Sequence, residues 1–127
     1  MNIVHSDHAP AAIGPYSQAV SHNGILYCSG QIALSSDGSD HTKEPVQEQT
    51  RLALENLKAV LEAGGSSLEH VLKVGIFLAD MNDFQAVNEI YAQYFVHHRP
   101  ARACVAVRTL PKNALVEIEC TAAVISE

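Results

Sequence analysis

Apolar residues recur at two different spacings along this chain, and the switches between them predict its elements. Over Val46–Ala63, Ala53, Leu57, Val60 and Leu61 fall at i, i+4, i+7 and i+8. That spacing gathers side chains on one face of a helix. Gly64-Gly65 follows at once and supplies the stop. A second helix is predicted where Phe84, Val87, Tyr91, Tyr94 and Phe95 keep helical spacing. Asn82-x-x-Gln85 precedes it as a capping box, and Pro100 closes the segment. Between the two, Ser66-x-x-Glu69 predicts a short capped turn.

The other stretches read as strands. Gln18–His22 and Ile25–Ile32 flank Asn23-Gly24, a pair suited to the two positive-φ positions of a type I′ hairpin turn. Val71–Ala79 is short and β-branched, which predicts a buried strand. Ala101–Thr109 and Leu115–Ile125 are the last two strands, joined through Leu110-Pro111-Lys112-Asn113. The order β-β-α-β-α-β-β predicts an α+β fold in two layers, with two helices on one face of a mixed sheet of five or six strands. No linker divides residues 1–127, so one domain is expected. Ser35–Glu44 reads as a surface loop, and His5-x-x-His8 is expected in a mobile N-terminus.

Alternation assigns faces to the last two strands. Val116, Ile118, Cys120, Ala122 and Val124 share one side, and Glu117, Glu119 and Thr121 the other. Ala101, Ala103, Val105 and Val107 share one side of the preceding strand, and Arg102, Cys104 and Arg108 the other. The expectation is that the apolar sides lie under the helices. If the strands pair as a hairpin, Arg102, Glu117 and Glu119 project from one uncovered face.

Composition narrows the function. The chain has 127 residues, 47% hydrophobic and 17% charged, enough for a core without disulfides. Cys28, Cys104 and Cys120 are widely spaced and odd in number, so reduced thiols in an intracellular, cytoplasmic protein are expected. Lys+Arg 8 against Asp+Glu 14 gives a formal charge of −6 with no basic run, which weighs against a nucleic-acid partner. No apolar stretch approaches the ~20 residues of a membrane span. The first residues lack the charged and apolar regions of a secretory signal. No recognised metal spacing occurs, so no metal is expected. Ser29-Gly30-Gln31 is neither a nucleophile elbow nor a phosphate loop; Gly30 suits a bulge or a close backbone approach. By side-chain type alone, Arg102 and Glu117 are more often a solvated ion pair, and Cys104 a packed thiol. Tyr16, just beyond the Gly14-Pro15 turn, and mid-helix Asn88 are equally open to ordinary structural roles.

Taken together, the segments resemble the YjgF/RidA family of reactive-intermediate deaminases over nearly the whole chain. The resemblance is carried by Ala11–Ala19 (AAIGPYSQA), Ser29-Gly30-Gln31-Ile32, Asn82-Asp83-Phe84 through Asn88, Pro100–Val105 (PARACV), Leu110-Pro111-Lys112 and Val116-Glu117-Ile118-Glu119. It implies a chorismate-mutase-like fold and a homotrimer, with three equivalent pockets between neighbouring subunits. It also implies hydrolysis of 2-imino acids such as 2-iminobutanoate and 2-iminopropanoate, released by pyridoxal-phosphate enzymes, to 2-oxo acids and ammonia. On this resemblance Arg102 matches the carboxylate-binding arginine and Glu117 the catalytic glutamate. Tyr16, Ser29, Gly30, Asn88 and Cys104 match the substrate pocket. No cofactor is implied. Two departures bear on pocket size: Ala33 stands where the family often has Pro, and the Val96–Arg99 connection is short. The competing readings are a ribonuclease or translation inhibitor, and a non-catalytic module that binds a small carboxylate.

Overall fold

The computed structural model describes residues 1–125. Its chain begins with β1 (Asn2–Val4), which pairs antiparallel with β2 (Ala19–His22). The N-terminus is therefore a sheet edge, not the mobile arm expected from its sequence. Buried Gln18 holds the returning loop: its Nε2 donates to Ser6 O at 3.1 Å and Pro10 O at 2.8 Å, and its Oε1 accepts from Ser6 N at 2.6 Å. Asn23 and Gly24, at φ 51° and 79°, turn the chain into β3 (Ile25–Gln31) as the hairpin predicts.

Helix α1 (Val46–Ala63) has the predicted bounds and ends at Gly64. Strand β4 (Val71–Leu78), helix α2 (Phe84–Tyr94), β5 (Ala101–Ala106) and β6 (Val116–Ala123) follow. The strand order is β1-β2-β3-β6-β4-β5, with only the β4–β5 pair parallel. Both helices cover one face of this mixed sheet. Leu54, Leu57, Val60 and Leu61 of α1 and Val87 and Ile90 of α2 close on Leu26, Val74, Ile76 and Ile118 of the strands. No helix among the described residues is long and apolar enough to cross a membrane.

Three local expectations are corrected. The last two strands do not pair as a hairpin, because β4 lies between them and bonds to both. The turn before α2 is capped by Asp80, whose carboxylate accepts from Asn82 N at 2.9 Å; the Asn82-x-x-Gln85 box does not form. Ser66 does not cap the turn Leu68–His70 either: its hydroxyl donates to Ala123 O at 2.6 Å and so ties that turn to the end of β6.

The polar loop Ser35–Glu44 is held from inside. Gln49, fully buried on α1, donates from Nε2 to Thr42 O at 3.0 Å and Glu44 O at 2.8 Å. Its Oε1 accepts from Leu115 N at 2.9 Å. One side chain thus ties the loop before α1 to the backbone just after the Pro111–Asn113 turn that leads into β6. Replacing Gln49 by Leu keeps volume but leaves those groups without a partner, each worth about 1–3 kcal/mol when buried. Urea denaturation of Gln49→Leu is expected to show a loss of about 3 kcal/mol with the native fold retained.

Candidate active site in two halves

Glu117 occupies the middle of β6, opposite Phe77 of β4. Its neighbours Val116 and Ile118 are buried under the helices, so by alternation Glu117 faces the uncovered side of the sheet. There it lies on Gly30. The β3–β6 register shifts between Cys28 and Gln31, and a Cβ on Gly30 would stand 2.6 Å from Glu117 Oε2 and 2.9 Å from its Cδ. Only glycine lets the carboxyl rest on the bulged backbone, the close approach that the sequence suggests. Burial, followed by repulsion from Glu119, pushes the Glu117 carboxyl above the usual Glu range.

A cleft of about 280 Å³ opens beside Glu117 and Gly30. Ile13, Tyr16, Ile32 and Pro111 give it largely apolar walls. Tyr16 is exposed, and its hydroxyl accepts from Ile13 N at 3.4 Å. Ser29 Oγ donates to Ser17 O at 2.6 Å and Ser29 N to Gln18 O at 2.9 Å, so Ser29 anchors the loop carrying Tyr16. Gln18, expected only as the first residue of a strand, also lines this cleft; nothing in the spacing marks its side chain as part of a site.

The second half is built on α2 and β5. Arg102 Nη1 donates to Asn88 Oδ1 at 2.7 Å. Its Cζ stands 4.8 Å from the Tyr91 ring centroid and 5.6 Å from that of Phe84. Cys104, two residues on, packs against the helix-side core. Burial pushes its thiol up, against the pull of Arg102, so it is a neutral thiol and not a thiolate. Val107 N donates to Leu78 O at 2.8 Å. Peptide groups alternate in direction along a strand, so the Arg102 and Cys104 N–H groups face the outer edge of β5.

The faces of β5 are therefore the reverse of those expected. Arg102 and Cys104 lie on the helix side, while Ala101, Ala103 and Val105 lie on the uncovered side. Val105 is 46% exposed. The inversion has a simple cause. β5 is an edge strand beyond the reach of α1, and what α2 offers it is two ring faces and an amide, which suit a guanidinium better than an alanine. Arg102 and Glu117 consequently stand on opposite faces of the sheet, with β4 between their strands. Tyr16, Ser29, Gly30 and Glu117 form one group; Asn88, Arg102 and Cys104 form another. Among the described residues no cluster of His, Cys, Asp or Glu is arranged to hold a metal ion.

The sequence profile of the Endoribonuclease L-PSP family matches residues 6–124. The chain belongs to this family. It is the YjgF/RidA family whose motifs the sequence carries. Several members are similar over nearly their full length. A RutC family protein of Pyrococcus horikoshii is 47% identical over 120 residues, 94% of this chain and 95% of its own. The 2-iminobutanoate/2-iminopropanoate deaminase of Dermatophagoides farinae is 43% identical over 117 residues, 92% of this chain and 91% of its own. The crystal structure of Escherichia coli TdcF with bound serine superposes at a TM-score of 0.91, with 41% identity, 97% of this chain and 98% of that one. The two-layer YjgF/RidA fold is thus common to this chain and its solved relatives.

The raised Glu117 carboxyl makes a stability prediction. The folded state holds that proton more tightly than the unfolded chain. Its contribution is fully present below the ordinary carboxyl pKa and is lost as pH rises through the raised folded value. Glu117→Gln removes the ionised form, and is expected to melt above the wild type at about pH 7, with the gain vanishing near pH 4 and below. Thermal melts of both proteins across that range check it.

Proposed function

We propose that this protein hydrolyses 2-imino acids to 2-oxo acids and ammonia, at sites shared between neighbouring copies in a homotrimer. One observation carries the reading. The two groups the chemistry needs, a held guanidinium and a partly desolvated carboxyl, are each built in detail yet face opposite ways in a single chain. Head-to-tail contact around a three-fold axis brings the Arg102 half of one copy to the Glu117 half of the next. The uncovered sheet face supports such an assembly. It carries Tyr27, 52% exposed, and Val105, 46% exposed, as well as Phe77, apolar surface that a neighbour would remove from water.

In the shared site Arg102 presents its planar fork to the substrate carboxylate, and the Cys104 N–H on the strand edge adds a second donor. The C=N carbon is then fixed against the Glu117 half. Glu117 takes a proton from water as the oxygen adds to that carbon, and the proton passes to nitrogen. Glu117 then takes the hydroxyl proton of the carbinolamine and delivers it to the amino nitrogen, the C–N bond breaks, and ammonia departs with the 2-oxo acid left behind and the carboxylate restored. A carboxyl raised toward neutrality suits both transfers, since proton transfer is most effective when the catalytic pKa lies near the working pH. Tyr16 and the apolar walls of the cleft exclude water around the substrate's side chain.

The name Endoribonuclease L-PSP suggests another chemistry. RNA binding draws on a basic surface, whereas this chain carries −6 formal charge and presents Glu117 and Glu119 on the uncovered face. The imine reading fits the site better.

The deciding assay couples this protein to a threonine dehydratase and follows release of 2-oxobutanoate. Acceleration over buffer is expected, lost in Arg102→Ala with the melting temperature retained. Glu117→Gln is expected to keep 2-oxobutanoate binding while turnover falls roughly 10²–10⁴-fold. Tight 2-oxobutanoate binding by the wild type with no acceleration would make the protein a carboxylate-binding module instead.

A further inference from the structure

Arg102 is exposed on an edge strand, where a long side chain ordinarily samples several rotamers. Here one helix face holds it. Phe84, Asn88 and Tyr91 stand at i, i+4 and i+7 of α2 and converge on the same guanidinium. Asn88 accepts from a single N–H, which leaves four of the five guanidinium donors for a ligand. The two rings contribute no hydrogen bond. Tyr91 is buried, and its hydroxyl is without a partner among the described residues, so what it offers Arg102 is its ring face. Phe84, by contrast, is 37% exposed, unusual for a phenylalanine with only core packing to do.

We propose that Phe84 and Tyr91 are positioning residues, whose ring faces hold the Arg102 guanidinium ready for the substrate carboxylate, with Asn88 acting through Arg102 and not on the substrate. This rests on the imine-hydrolysis reading and deepens it. Holding the guanidinium in place before the substrate arrives removes much of the ordering cost that would otherwise weaken binding. The rings leave the charge on Arg102 unaltered and do not touch the Glu117 half. Their loss therefore weakens carboxylate binding without slowing the proton transfers.

The test uses Phe84→Leu as the decisive variant, because Phe84 lies largely outside the core, and Tyr91→Phe as the conservative control. Calorimetry with 2-oxobutanoate and the dehydratase-coupled assay are run on both. Phe84→Leu is expected to raise Kd and KM roughly three- to tenfold, with kcat changed by less than about twofold and the melting temperature retained. Tyr91→Phe keeps the ring and is expected to match the wild type in all three. Unchanged Kd in Phe84→Leu, or a loss that falls on kcat, overturns the proposal; so does a Tyr91→Phe variant that binds weakly, since the hydroxyl would then be the working group. NMR of the Arg102 Nε–H separates this failure from failure of the functional reading. A rigid signal in the wild type that becomes mobile in Phe84→Leu supports the cradle. A signal already mobile in the wild type overturns the cradle while leaving imine hydrolysis standing. A rigid signal in a wild type that neither binds 2-oxobutanoate nor speeds its release overturns the functional reading, and the positioning role with it.

Discussion

Strand β4 bonds to β6 along one edge and to β5 along the other, and side chains alternate across a pleated sheet. Those two constraints fix where the side chains of the two candidate site groups can stand. Val116 and Ile118 must lie under the helices to close the core, so Glu117 cannot. Arg102 is held by α2, so it must lie on the helix side. The sheet itself then separates the two charges. A one-residue slip in β6 would bring them together only by turning buried Val116 and Ile118 out to water, at a cost of about 1.5–3 kcal/mol for each, and a slip in β5 would pull Arg102 off Asn88 and the two rings of α2. The separation is as firmly set as the core.

Much of the fold is legible in the sequence because period and punctuation agree. The stripe on α1 and its Gly64 stop, the Asn23-Gly24 turn, and the buried strand β4 all appear where spacing and turn chemistry place them. The edges are less legible. β1 is three residues long and has no periodicity to read; it is held by pairing with β2 and by the Gln18 side chain behind it. The pairing of β5 is equally hidden. A short connection between two strands suggests a hairpin, and nothing in either strand announces that a third fits between them.

The faces of β5 are the most instructive case. Alternating alanine and valine against arginine and cysteine suggests an apolar side for the core. That inference assumes an interior strand. On an edge strand under aromatic rings the guanidinium is the better occupant of the helix side, and the small apolar residues are left facing out, where a second copy can cover them. Of the candidate site, the residue types and the Gly30 close approach are readable from sequence. The partition into two groups is not, since it depends on strand order. Gln18 and Gln49 escape for a related reason: a buried polar hook satisfies particular backbone groups and belongs to no repeat.

The account stands or falls on the Arg102 group and the Glu117 group meeting across subunits, and mixed assemblies test this most directly. Arg102→Ala and Glu117→Gln chains, each inactive alone, are co-refolded in equal amounts and assayed for imine hydrolysis. In a randomly mixed trimer, a quarter of the junctions join an intact Arg102 to an intact Glu117, so activity near one quarter of the wild type is predicted. A mixture as inactive as its parents, in trimers shown by mass spectrometry to contain both chains, would contradict the shared site.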